Sequence, residues 1–170
     1  MTMVFVPFTR AAAALLQREG SHGDSIVGHT ATAELMRRLG YAQSASEEAD
    51  YAALSYAGVR AVLSGAMLSG GMLSGGEEPL RLVLAVEVPA AMVQEAPGDR
   101  YGAVSVQELG WAGVQALFSD EPEAAAAVAL ARQASAGRSL ADALDLPEVD
   151  ALLTEHDLLW FTPEELGTLP

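Results

Sequence analysis

Leu80-Arg-Leu-Val-Leu-Ala-Val-Glu-Val-Pro89 is the stretch that decides the fold class. Leu80, Leu82, Leu84, Val86 and Val88 recur at period two and point one way. Arg81 and Glu87 fall on the other face, with Val83 and Ala85 between them. This alternation predicts a strand, and Pro89, which has no N–H to donate, ends it. Working outward, Met3-Val-Phe-Val-Pro-Phe8 has almost no polar face and predicts a central strand buried on both sides, with Pro7 at its end. Further strands are expected at Ala103–Glu108, with Val104 and Val106 inward, at Gly113–Phe118 and at Leu158–Phe161, with a short one at Ile26-Val27.

Between these runs the periodicity changes to that of helices. Thr9 is placed to cap a helix from Ala11 to Glu19 that Gly20 stops, and Thr30 or Thr32 to cap a second through Leu39. Ser44 and Glu47 have capping-box spacing ahead of a long helix to about Gly65, with Tyr51, Leu54, Ala57 or Gly58, and Val62 facing the core. Asp120-Glu-Pro-Glu123 reads as a helix start with Asp120 as cap, Ser139 with Asp142 as another, and Thr162-Pro-Glu-Glu165 as a final capped turn. Strands and helices do not alternate one to one, so a Rossmann-like doubly wound sheet is disfavoured. The expectation is a single α+β domain over 1–170, a mixed and mostly antiparallel sheet covered by helices.

At 170 residues and 51% hydrophobic, the chain is long and apolar enough to bury a core without a disulfide or metal staple. It contains no cysteine, which excludes disulfides, thiolate catalysis and cysteine-ligated metals and fits a cytoplasmic setting. No run reaches the ~18–20 apolar residues of a membrane helix. Arg10 interrupts the apolar N-terminus and no basic stretch precedes it, so neither a membrane nor a signal peptide is expected.

The net charge is −14, and it is uneven. Residues 1–40 sum to +1 (four Arg, three acids), 41–100 to −5 (three, eight) and 101–170 to −10 (two, twelve). Such a surface repels phosphate, so nucleic acid is excluded as a partner. It solubilises, and its C-terminal half offers a face to a basic protein.

Val62-Leu-Ser-Gly-Ala66, Met67-Leu-Ser-Gly-Gly71 and Met72-Leu-Ser-Gly-Gly76 repeat at period five. The repeat reads as a tandem duplication lengthening a surface loop at about 64–78, a cheap insertion entropically. It lacks the Lys-Ser/Thr pair that a phosphate loop needs.

Candidate chemistry rests on three histidines. His22, Asp24 and His29 bring two imidazoles and a carboxylate within eight residues, a weak metal set that needs a distant ligand such as Glu34 or His156. His156 and Asp157 precede the last strand and are the weak catalytic candidates, although neighbours on an extended segment face opposite ways. No Gly-x-Ser-x-Gly elbow occurs, no cofactor motif is found, and no carboxylate pair stands out. Trp111, Trp160 and Phe161 are expected in the core.

Val-Phe-Val-Pro-Phe-Thr9, Ser-Glu-Glu-Ala-Asp-Tyr51, Leu-Val-Leu-Ala-Val-Glu-Val-Pro89 and above all His-Asp-Leu-Leu-Trp-Phe161 with Pro163-Glu-Glu-Leu166 resemble an actinobacterial family of uncharacterised proteins, a domain of unknown function. The repeat departs from that pattern, as does Phe161 where the family usually carries tyrosine. The resemblance implies no activity or site residue. The functional expectation is therefore a small non-catalytic binding or regulatory protein acting through its acidic surface. The alternative is an enzyme whose site joins His156 and Asp157 to the His22–His29 loop.

Overall fold

The computed structural model describes residues 1–42, 44–64 and 80–170. The loop expected at about 64–78 lies outside the described residues, apart from the last residue of a helix.

Nine strands are seen among the described residues: β1 (Thr2–Phe8), β2 (Ser21–His22), β3 (Ile26–His29), β4 (Leu82–Val88), β5 (Val93–Glu95), β6 (Ala103–Val106), β7 (Leu109–Gly110), β8 (Val114–Ser119) and β9 (Leu159–Phe161). Seven form one sheet in the order β5-β6-β3-β1-β4-β8-β9, and β2 with β7 forms a two-stranded ribbon. Every pair among the described residues is antiparallel. The two most apolar stretches of the sequence, β1 and β4, lie side by side in the interior, from Thr2↔Val88 to Phe8↔Leu82. Burial on both faces and both edges needs side chains without polar groups, and these strands have almost none.

Strand β1 runs through Pro7 to Phe8 instead of stopping at Pro7. Pro7 pairs with Val83 of β4, while the ladder to β3 is made at Phe5↔His29 and does not reach the proline.

Helices α1 (Arg10–Glu19), α2 (Ala33–Leu39), α3 (Ser46–Ser64), α4 (Ala125–Ser135), α5 (Leu140–Leu144) and α6 (Pro147–Glu155) cover the sheet. Thr9 Oγ1 accepts the Ala12 N–H and Gly20 closes α1 in the left-handed region, while Thr32 caps α2. Ala13 and Leu16 of α1, with Leu166 and Leu169 near the C-terminus, pack on Val4, Val6, Leu82, Leu84 and Leu117. On the opposite face Leu35 of α2 and Ala53, Leu54 and Ala57 of α3 pack on Phe5, Val83, Ala85 and Ala116. A third cluster joins Val59 and Val62 of α3 to Val128, Val149 and Leu152 of α4 and α6. Each large aliphatic side chain so buried contributes ~1.5–3 kcal/mol.

Three sequence expectations change here. Tyr51 is 63% exposed, because Ala49 and Ala53 carry the inward stripe of α3 at that level. Trp160 is 60% exposed rather than in the core, while Trp111 and Phe161 pack partly buried against it. Asp120 does not cap the following helix: it is fully buried and binds Arg81.

Candidate functional site

Helix α6 ends at Glu155, and His156-Asp157-Leu158 link it to β9 at the margin of the sheet. The N-terminal half of α3 faces this link. Between them opens a pocket of about 470 Å³ lined by Tyr51, Ser55, Leu153, His156 and Asp157, with Arg81 at its base. Asp157 is exposed and His156 half-buried. The His156 Nδ1–H donates to Glu121 Oε1 at 3.0 Å, so the carboxylate orienting the ring comes from the β8–α4 connection and not from neighbouring Asp157. Ser55 Oγ donates to the Tyr51 carbonyl of its own helix at 3.0 Å.

Beneath the pocket lies the most buried charge pair. Arg81 is 1% exposed, although it precedes a strand whose alternation assigned it to a polar face. Its Nε donates to Asp120 Oδ2 at 2.9 Å and its Nη2 to Asp120 Oδ1 at 2.5 Å. The Arg81 backbone N–H adds a bond to Oδ2 at 2.8 Å, and Nη2 reaches the His156 carbonyl at 2.9 Å. A bidentate geometry with both carboxylate oxygens satisfied is what makes a buried pair tolerable. The bond to His156 O also ties the pocket wall to the sheet. Arg81 is therefore neutralised from below, and the acidic group that the pocket presents to solvent is Asp157.

Next to the pocket, β9 pairs with β8 through Ser119↔Leu159, Phe118↔Trp160 and Leu117↔Phe161. Trp160 thus shares the sheet face of Phe118, the side covered by α3, but stands outside the helix layer. Leu159 is 43% exposed. Acids cluster along this end of the chain: Glu155 and Asp157 precede β9, Glu164 and Glu165 follow it, and no arginine occurs after Arg138.

The other two histidines are elsewhere. His22 lies in β2 beside a small apolar cleft between α1 and Ile26. His29 is fully buried in β3. Its Nδ1–H donates to the Tyr101 carbonyl at 2.8 Å, and its Nε2 accepts from Arg60 Nε at 2.8 Å. Both ring nitrogens are used and the ring is neutral. Burial, countered by the Tyr101 bond and reinforced by Arg60, lowers its pKa from 6.5 to about 4. Burial likewise lowers the pKa of Arg60, and Asp99 opposes that shift. Tyr56 and Tyr101 pack edge to face, and Arg38 lies over the Tyr101 ring at 4.6 Å. His29 is thus a polar pillar of the core, not the loop residue its sequence neighbours suggest. His22, Asp24 and His29 are not brought together, and among the described residues no group of three or more His, Cys, Asp or Glu side chains is placed to hold a metal ion. No helix among the described residues is long and apolar enough to cross a membrane.

Sequence reasoning named His156 and Asp157 at the pocket. It missed Arg81, Asp120, Glu121 and Tyr51, whose partners lie as much as 75 residues away. One signal was present: an arginine beside a strand as apolar as β4 needs a counter-ion if it is buried.

Comparison with known proteins identifies one family. A family model described as a family of unknown function (DUF6912) matches residues 2–169. No curated protein and no solved structure matches the chain.

Proposed function

The chain belongs to this family of unknown function, DUF6912, and from that premise we propose that it is a non-catalytic binding protein whose partner is a positively charged protein segment. The segment docks across Trp160 and the pocket beside His156 and Asp157. The observation that carries this reading is the exposed Trp160, two residues along the chain from Leu158 in the wall of a pocket whose one acidic lining residue is Asp157. Exposed tryptophan is costly in a protein that meets only water, and it is a preferred anchor in interfaces. Aromatic faces attract ammonium and guanidinium groups, and Asp157 with Glu121 supplies the opposite charge. The charge of −10 over residues 101–170 steers a cationic partner to the same end of the chain. A cytoplasmic setting, favoured by the absence of cysteine, is part of the reading.

The test is a fluorescence titration of a Trp111→Phe variant, in which Trp160 reports alone. An arginine-rich peptide is expected to give a saturable change at low salt that weakens as salt rises. Trp160→Ala is expected to lower the affinity at least tenfold. An identical response to an acidic peptide, or none to either, overturns the proposal.

A second reading, an enzyme, has one observation behind it. Glu121 orients the His156 imidazole inside a pocket, as a general base requires. Of the two hydroxyls that line the pocket, that of Ser55 donates to the Tyr51 carbonyl rather than to the imidazole. Hydrolysis of a chromogenic ester that disappears in His156→Gln decides for this reading over the first.

A further inference from the structure

The two margins of the large sheet are treated differently. Strand β5 at one margin is short, carries Glu95, and is followed at once by Ala96-Pro97-Gly98. Charge, brevity and a nearby proline are the devices that keep an open edge from recruiting another strand. Strand β9 at the other margin is equally short and is likewise followed two residues on by a proline, Pro163, but Leu159-Trp160-Phe161 itself carries no charge. It is terminal in the sheet, so one side pairs with β8 and the other has no partner strand among the described residues. Its two most exposed side chains are apolar. An edge of this kind is a template for strand addition.

From this contrast we infer that the basic segment docks as an extended strand added to the outer edge of β9, with an apolar centre of about three residues and positive charges on both sides. The inference rests on the proposed function and specifies how the same site is used. The central residues lie along Leu159–Phe161, a span of about 10 Å at strand rise. Side chains alternate between the Trp160 face and the Phe161 face of the sheet. The flanks meet Glu155 and Asp157 at one end and Glu164 at the other, all of them exposed. Glu165 is less available, because its carboxylate accepts the Thr162 N–H of the last capped turn at 2.7 Å.

The same charges decide between a foreign segment and a second copy of the chain. Antiparallel pairing of two β9 strands sets Glu155 and Asp157 of one copy against Glu164 of the other. Parallel pairing sets each acid against its own counterpart. Both arrangements bring like charges together at the two ends of the strand pair, which is unfavourable. A basic segment reverses the sign at every one of these positions.

The experiment uses the full chain and two peptides of equal charge, Arg-Arg-Val-Thr-Val-Arg-Arg and Arg-Arg-Val-Pro-Val-Arg-Arg. Binding is read at low salt with amide hydrogen exchange, and sedimentation gives the oligomeric state of the chain alone. The inference expects the first peptide to slow exchange at Leu159–Phe161 at least tenfold. It expects the proline peptide, with a donor removed and the charge retained, to bind at least tenfold more weakly. Equal binding of both peptides with no slowed exchange at β9 overturns strand addition and leaves the basic partner standing. Failure of both peptides to bind overturns the partner as well. A dimer of the chain alone, with exchange at β9 already slowed, overturns the inference in favour of a second copy.

Discussion

Helix α3 leans on two buried polar clusters that solve one problem in opposite ways. Near Gly58, Arg81 is matched by a full carboxylate, Asp120, through four hydrogen bonds to its two oxygens. Two residues further along α3, Arg60 donates to a neutral imidazole, His29, whose other nitrogen is spent on a backbone carbonyl. In the first cluster charge cancels charge. In the second, stability depends on a proton being absent. A protonated His29 would lose its acceptor and face a guanidinium at hydrogen-bond distance. The first cluster braces the pocket through the His156 carbonyl, whereas the second holds β3 and the Tyr101 turn in the interior.

The largest expected effect breaks the first cluster. Asp120→Ala leaves a guanidinium charge buried and is expected to cost about 3–5 kcal/mol in denaturant unfolding. The double variant Arg81→Met with Asp120→Leu should recover more than half of that loss, because the uncompensated charge is gone. A cost below about 1 kcal/mol for Asp120→Ala would mean that the two clusters do not differ in kind.

The next effect concerns protons. The unfolded chain binds a proton at His29 near pH 6.5, whereas the folded chain resists protonation until about pH 4. Between those values the unfolded state holds more protons, so stability is complete above about pH 6.5 and is lost as pH falls toward 4. The total is about 3 kcal/mol at 1.36 kcal/mol per pKa unit. Unfolding of His29→Gln and the parent, compared from pH 7 to 4, checks it: the parent should lose more, and parallel curves contradict the assignment.

Arg60→Met sharpens the contrast. It removes a donor from a buried acceptor, at about 1–2 kcal/mol, and lifts a charge that opposes protonation. The His29 pKa followed by NMR should rise toward 6.5. The smallest effect is Glu121→Gln, at less than about 1 kcal/mol, because that carboxylate is partly exposed and its pair with His156 is screened. A large loss there would extend the Arg81 cluster to the pocket surface.

Most of the fold was legible because its signals are local. Period-two alternation marked β4, an unbroken apolar run marked β1, and threonine and glycine marked the ends of α1. The candidate site was half legible. His156 and Asp157 stood out as polar residues before an apolar strand. Trp160 was read as core because strand and helix patterns give side-chain direction along one element and not which neighbours cover it. Tyr51 was misplaced for the same reason, since alanines can carry a buried stripe as well as larger residues.

By itself the sequence determined the class of fold, the central strands, most of the helix boundaries and the acidic character of the C-terminal half. Those properties follow from spacing and composition within a dozen residues. Tertiary structure alone decided that Arg81 meets Asp120, that His29 is buried between Arg60 and Tyr101, and that β9 lies at the margin of the sheet. Each of these depends on which distant segments become neighbours. Such closeness is set by the packing of whole layers, and no single stretch of the chain encodes it.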